Sequence, residues 1–295
     1  MKKDNKIAEL SQSISESCSG LPDFSDSEFK RVCDMVYDLA GIKLHEGKRA
    51  LVQARLGKRM RQTGVANLGA YLDIVQKEGG QAELISMLDA ISTNTTSFWR
   101  EPAHFEHFIS VALPRAVSHA KKSRESAVRV WSAGCSTGEE PYGLAMIMHD
   151  ELRSSGVQDV KVLATDLSTH VLSIARNGVY PENRVRAVPP SFRDRYFEQV
   201  AQSHERMYGV TKEIRAMVHF ARLNLMGSWP MKGPFDVIFC RNVMIYFDKA
   251  TQAKLVGRYF QLLRSGGLLY IGHSESLTGI DHPYRYVRPT IYEKP

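Results

Sequence analysis

The sequence predicts an α/β protein: a small all-helical domain, then a nucleotide-binding sheet that carries an insertion. Three observations predict it. First, a β-branched run from Val128 passes through a Gly-rich turn, Gly134-Cys-Ser-Thr-Gly138, into an apolar helix. A second run, Val160-Lys-Val-Leu-Ala-Thr-Asp166, follows and ends on an acid, completing one βαβ unit. Second, the residues before this unit show apolar spacings of three and four, the period of helices with one buried face. Third, the βα rhythm breaks over about residues 179–216 and then resumes, which marks an inserted subdomain.

The elements follow in order. Residues 1–20 are Ser-rich and aperiodic, and are expected to be a flexible tail. Residues 21–92 form the helical domain. Ser25 or Asp26 can cap a helix holding Phe29, Val32, Cys33, Val36 and Leu39, which Gly41 ends. A second helix runs from about His45 to Gln62 and stops at Gly64, with Val52, Leu56 and Met60 as its apolar stripe. Lys48, Arg55, Lys58 and Arg59 lie largely off that stripe and predict a basic exposed face. A third helix begins at Asn67 and a fourth spans Ala82 to Ile91. Residues 93–295 form the α/β domain. It opens on a polar joint, Ser92 to Pro102, and a helix from Phe105 to Val117. After Asp166, Ser168 caps a helix to Asn177. The inserted region holds a proline cluster, a helix from Ser191 to Gln199 and a strand-like run at Met207–Val210; a second such run follows at Val218–Leu223. Then come the strand Phe235–Cys240, a helix from Lys249 to Leu263, a turn at Ser265–Gly267, the strand Leu268–Gly272 and a closing hairpin.

Composition narrows the function. There is no run of about 18 apolar residues to cross a membrane and no apolar leader at the N-terminus. Cys18, Cys33, Cys135 and Cys240 are scattered without a C-x-x-C. That argues against zinc or a disulfide framework and fits a reducing cytoplasm. The formal charge of +7 points to an acidic partner: nucleic acid, an anionic membrane surface or an acidic protein. The basic helix has few aromatics for base stacking and no nucleic-acid motif, which favours a solvated face or an acidic protein surface over nucleic acid.

The Gly-rich turn supports two chemistries. Gly134 to Gly138 spells G-x-S-x-G, the nucleophile elbow of a serine hydrolase, and Ser136 with Asp236 or Asp248 and His273 keeps the triad order. Against it, Glu139-Glu140 open the following helix where an oxyanion would need stabilising. The same acids would repel the pyrophosphate of a dinucleotide. They suit a ligand with a cationic end, and Asp166 at the end of the second strand suits ribose hydroxyls. S-adenosylmethionine has both features.

Six segments carry a specific resemblance: Asn94–Pro102, Trp131–Tyr142, Ala164–Asp166, Asn224-Leu225, Phe239–Asp248 and Gly272-His-Ser-Glu275. In this order they resemble the chemotaxis receptor glutamate methyltransferases, the CheR type, over about residues 21–293. The resemblance implies a doubly wound, seven-stranded class I methyltransferase sheet with a helical receptor-recognition domain before it and a small β-subdomain inserted in it. It implies that Asn94, Thr96 and Arg100 contact S-adenosylmethionine from the joint. Ala133, Gly134 and Glu139 or Glu140 would line its methionine end, Asp166 would hold the ribose, and Asn224 and Leu225 would flank the adenine. Asn242 belongs to the same set, and Arg241 and Tyr246 would stand beside the transferred methyl. The partner implied is a chemoreceptor's acidic cytoplasmic helix, guided by Lys48, Arg55, Lys58 and Arg59. The reaction implied is methyl transfer to a glutamate oxygen by a monomeric enzyme, with no metal. Catalytically inactive receptor binders and small-molecule O-methyltransferases share only part of this set. Gln199–Gly209 lacks the Gly-rich turn expected of members that tether a receptor's C-terminal peptide, and Trp99 replaces a more usual Phe.

Overall fold

The structure, a computed structural model, describes residues 24–92, 94–123, 126–200 and 206–295. The expected tail and Cys18 lie outside the described residues. These residues divide into two compact units, one of 24–39 and 43–92, the other of 40–42 and 94–295.

The first unit is helical. Helix α1 (Asp26–Ala40) starts on a reciprocal cap: Ser25 Oγ accepts the Glu28 N–H at 3.3 Å, and the Glu28 carboxylate accepts the Ser25 N–H at 2.9 Å. A 3-10 turn, Glu46–Lys48, leads into α2 (Arg49–Thr63), which ends where Gly64 takes φ +73°. Asn67 caps α3 (Leu68–Gln76) by accepting the Ala70 N–H at 2.9 Å, and α4 is Gln81–Ile91. Val52, Leu56 and Met60 are buried along α2 as the stripe requires, and α2 packs on α4.

The second unit opens with α5 (Pro102–His107), a π-helical turn (Phe108–Ala112) and α6 (Leu113–Lys122). The single helix expected from Phe105 to Val117 thus starts earlier, with proline in its first turn, and is interrupted. The sheet contains β1 (Ala127–Ala133), β2 (Asp159–Asp166), β6 (Val218–Arg222), β7 (Phe235–Cys240), β8 (Leu263–Ile271), β9 (Arg285–Arg288) and β10 (Ile291–Glu293). Its order is β6-β2-β1-β7-β8-β10-β9. The pairs from β6 to β8 are parallel, and β10 runs antiparallel to both neighbours. Helices α7 (Glu139–Leu152), α8 (Thr169–Asn177) and α12 (Lys249–Leu262) connect the strands, and a hydrophobic cluster is buried on each face. From β1 the chain winds outward through β2 to β6, then returns to β7 on the other side of β1. That reversal opens a crevice at the carboxyl ends of β1 and β7, where ligands bind in doubly wound sheets.

The insertion holds β3 (Val179–Pro181), α9 (Glu182–Val185), α10 (Pro190–Tyr196), β4 (Phe197–Val200), β5 (Met207–Val210) and α11 (Lys212–Met217). Its sheet has the order β3-β5-β4. Two local expectations are corrected. Phe197–Gln199 continue as strand, not helix, because they pair with Tyr208–Val210. Ser265–Gly267 lie inside β8, at an irregularity where the register against β7 shifts and Gly266 takes φ +77°. No described helix is long and apolar enough to cross a membrane.

Candidate functional site

The crevice is built first by backbone. The N–H groups of Gly134 and Cys135 both donate to the Thr165 carbonyl, at 2.8 and 2.9 Å, folding the turn after β1 over the end of β2. Gly134 takes φ +84°, and a Cβ there would stand 2.3 Å from Val243 Cγ2, so the close approach of this turn to the loop after β7 demands glycine. Asp166 closes the floor. Its carboxylate accepts the N–H of Ser136 at 2.8 Å and of Ser168 at 2.9 Å, which fixes it half-buried at the strand end.

The polar joint lies over this turn. Ser136 Oγ donates to the Asn94 carbonyl at 2.9 Å. Phe98 is buried edge-on to Tyr180 and Phe197, and Trp99 stacks on Phe105. Trp99 and Glu101 take φ of +52° and +59°, a conformation that costs a non-glycine residue free energy and persists only where surroundings hold it. Asn94, Thr96 and Arg100 are half-buried along this segment, and Arg100 Nη1 donates to the Thr95 carbonyl at 3.1 Å.

Two corrections concern the acids. Glu139 does not line the crevice: its side chain is 0% exposed and is held by Arg184 at 2.9 Å and Thr137 at 2.7 Å. Glu140 does not stand alone either. It accepts from Ser132 Oγ at 2.7 Å and from Arg241 Nη1 at 3.0 Å. Arg241 also binds Glu101 at 3.0 Å and the Arg100 carbonyl, with its own side chain only 3% exposed. Four of its five N–H donors are therefore engaged inside the protein. Burial raises the pKa of Glu140 against the pull of Arg241 and Ser132. For Glu101 burial is outweighed by the His273 N–H and Arg241, and its pKa falls. Burial, helped by the Arg241 charge, pushes His104 down to about 3, so its ring is neutral at pH 7. The trio of Glu101, Glu140 and Arg241 sets two carboxylates against one guanidinium, a site that favours a cation. Glu101, His104 and His273 also bring ligand-type atoms within 4.8 Å of one another, but the Arg241 guanidinium on Glu101 opposes a metal ion there.

The loop after β7 supplies the opposite wall. Ala133 is buried at the end of β1, while Asn242, with φ +59°, and Tyr246 are half-buried. Sequence reasoning quoted Gly272-His-Ser-Glu275 without a role for its acid. Glu275 is buried and accepts the N–H groups of Asn242 at 2.9 Å and Ile245 at 3.2 Å, so it shapes the loop that presents Tyr246. A Cβ at Gly272 would meet Asn242 at 2.5 Å. Asn224 and Leu225 follow β6, and the Leu223 N–H bonds the Asp166 carbonyl at 2.9 Å, which brings them beside the floor. Glu101 and Arg184 were likewise unassigned by sequence reasoning.

The alternative hydrolase triad is not assembled. Ser136 is bonded to the joint. Asp236 sits near the start of β7, at the far end of the strand from the crevice, bonded to the Arg129 N–H at 2.7 Å and paired with Arg264 at 2.9 Å. Asp248 caps α12 through the Thr251 N–H.

In the helical unit the basic face is smaller than expected. Arg55 donates to the Ile91 and Ser92 carbonyls at 2.7 and 2.9 Å, capping the end of α4. Arg59 pairs with Glu83 at 2.5 Å, and Tyr71 donates to the same carboxylate at 2.6 Å. Both arginines thus serve the fold. Lys58 is exposed and Lys48 half-buried.

Comparison with known proteins agrees in both units. Residues 27–92 match the family model described as CheR methyltransferase, all-alpha domain, and residues 94–292 match CheR methyltransferase, SAM binding domain. A chemotaxis protein methyltransferase of Borreliella burgdorferi is 39% identical over 269 residues, covering 90% of this chain and 94% of its own. A probable chemotaxis protein methyltransferase of Rhizobium etli is 42% identical over 259 residues, 88% of this chain and 96% of its own. The Escherichia coli chemotaxis protein methyltransferase is 38% identical over 269 residues, 91% of each chain.

Proposed function

This chain belongs to the CheR methyltransferase family, and on that footing we propose that it methylates glutamate side chains of methyl-accepting chemotaxis receptors, giving glutamate methyl esters and S-adenosylhomocysteine in adaptation of chemosensory signalling. It would act in the cytoplasm, as a monomer, on the acidic helices of the receptor. The observation that carries the reading is the crevice itself: a glycine turn, a strand-end carboxylate and a net-negative buried trio meet inside the stretch that matches the family.

The residues present fit S-adenosylmethionine. Asp166, fixed by two backbone N–H groups, suits the ribose, and Asn224 and Leu225 beside it suit the adenine. Gly134 allows close approach, and Glu140 with Glu101 favours a cationic end. Asn94, Thr96 and Asn242 complete the lining. When bound, the group supplies a methyl on a positively charged sulfur.

A glutamate with a pKa of roughly 4.3 is already an anion at pH 7, so the chain need supply neither base nor metal. Its task is to align and desolvate the carboxylate. Arg241, held between its two acids and the Arg100 carbonyl, positions the joint and the strand end. The task of meeting the incoming carboxylate falls to Arg100, half-buried and bonded to the Thr95 carbonyl, with Tyr246 on the loop that Glu275 shapes. A looser grip from Arg100 avoids stabilising the ground state.

Labelled S-adenosylmethionine with purified chemoreceptor tests the reading. Base-labile label on receptor glutamates is expected; label confined to small acids or nucleic acid overturns it.

A further inference from the structure

A second concave site lies away from the crevice, against edge strand β6. It is a hollow of about 520 Å³ between α8, α11 and β6. That volume is in the range of sites for small organic ligands. Arg176, Lys212, Arg215 and His219 line it, with Tyr142 and Phe220 below, and its lining holds no carboxylate. Among the described residues Arg176, Lys212 and Arg215 form no ion pair with an acid. Elsewhere in the same unit arginines pair with acids: Arg184 with Glu139, Arg195 with Asp150, Arg264 with Asp236.

The two guanidinium groups are also anchored. Arg176 Nη2 donates to the Phe220 carbonyl at 3.1 Å, and Arg215 Nη2 donates to the Arg176 carbonyl at 2.9 Å. Each anchor uses one of five N–H donors and neutralises no charge. Lys212 and Arg215 are one helical step of three apart on α11, so their charges share a face. Lys161, on β2, donates to the Ala216 carbonyl at 3.2 Å and adds a further cation close by. Preorganised cations around a partly aromatic hollow have the chemistry of a phosphate site with room for a planar ring, since guanidinium binds phosphate oxygens by paired N–H donors and also stacks on ring faces.

We propose that this hollow binds a nucleoside polyphosphate, with its phosphates on Arg176, Lys212 and Arg215 and its base against Phe220. The site is separate from the crevice, so the proposal stands or falls independently of the methyl-transfer reading.

Calorimetric titration of the full chain tests it, with saturating S-adenosylhomocysteine present to block the crevice. ATP, GTP and inorganic pyrophosphate are the probes. A nucleoside triphosphate should bind with Kd below about 1 mM. Arg176→Gln with Arg215→Gln should weaken it at least about tenfold, because charge-assisted contacts are lost. That double variant should keep the parent's affinity for S-adenosylhomocysteine and its Tm, which separates a lost site from a lost fold. Failure of both triphosphates to bind overturns the proposal, as does equal affinity in the double variant. Pyrophosphate binding as tightly as ATP removes the base from the site and overturns the nucleotide assignment. Binding only to phosphatidylglycerol vesicles, with no soluble probe taken up, likewise overturns it in favour of a lipid headgroup.

Discussion

Helix α2 and the crevice both bring arginines to acids, but in different surroundings. On α2, Arg59 and its partner Glu83 keep side-chain exposures of 24% and 14%, and Arg49 pairs with an Asp26 that is 98% exposed. In the crevice, Arg241 is 3% exposed and its partners Glu101 and Glu140 are 11% and 15%. An exposed pair such as Arg49–Asp26 contributes about 0–1 kcal/mol, because water already solvates the charge. Breaking a buried pair costs roughly 3–5 kcal/mol, since the remaining charge stays out of water. The same motif is therefore marginal at Arg49 and architectural at Arg241. A count of positive charges also overstates what either region offers a ligand.

The largest expected effect tests the architectural half. Arg241→Ala strands two buried carboxylates and should destabilise the α/β unit by roughly 3–5 kcal/mol, measured by urea unfolding of the full chain. Adding Glu101→Gln and Glu140→Gln should recover part of that loss, because neutral amides no longer need the guanidinium. A loss under about 1 kcal/mol for Arg241→Ala, with normal turnover, would mean the trio behaves like the exposed pairs on α2.

Arg100 comes next. It sits one residue from Glu101, yet it donates to the Thr95 carbonyl rather than to an acid. Arg100→Ala should leave the unfolding midpoint nearly unchanged while cutting kcat with receptor by about a hundredfold, a rise of roughly 2.7 kcal/mol in the barrier. Arg100→Lys should recover less than half of that in free energy, because one ammonium cannot reproduce the fork of a guanidinium. An unchanged kcat would return the carboxylate-binding role to another side chain.

How far the sequence foretold these regions depends on the range of the interaction. The stops and caps at Gly64, Asn67 and Ser168 were legible because both partners lie within a few residues. The Gly-rich turn and Asp166 were legible because one βαβ unit contains them. Roles that depend on distant partners were not. Arg241 meets Glu101 across 140 positions, and Glu275 shapes a loop 33 positions earlier. Arg184 reaches Glu139 from within the insertion, 45 positions on. No periodicity marks such pairs, so Arg241 and Glu139 read as ligand contacts when they are internal partners. Phe197–Gln199 failed for a related reason: the short run is locally ambiguous, and only its pairing with β5 makes it a strand. On α2 the period gave the correct apolar stripe but could not tell Arg55 and Arg59, bonded inside the unit, from Lys58, which is exposed.

The smallest effects separate those two kinds of cation on one helix. Lys58 has no ion-pair partner among the described residues, so its charge is available for long-range attraction to an acidic receptor helix. Lys58→Glu should raise KM for receptor about threefold at low salt, and the effect should fade at 0.5 M salt, where the screening length drops to roughly 4 Å. Its Tm should hold, because an exposed charge away from any pair contributes little. Arg59→Ala should do the reverse: a loss of about 1 kcal/mol in stability from the shared Glu83 site, with KM within twofold of the parent. Adding Glu83→Gln to Arg59→Ala should cost little more, since the pair is already broken. If instead Arg59→Ala raises KM with the salt dependence assigned to Lys58, the pair opens when receptor binds, and Arg59 belongs to the docking surface after all.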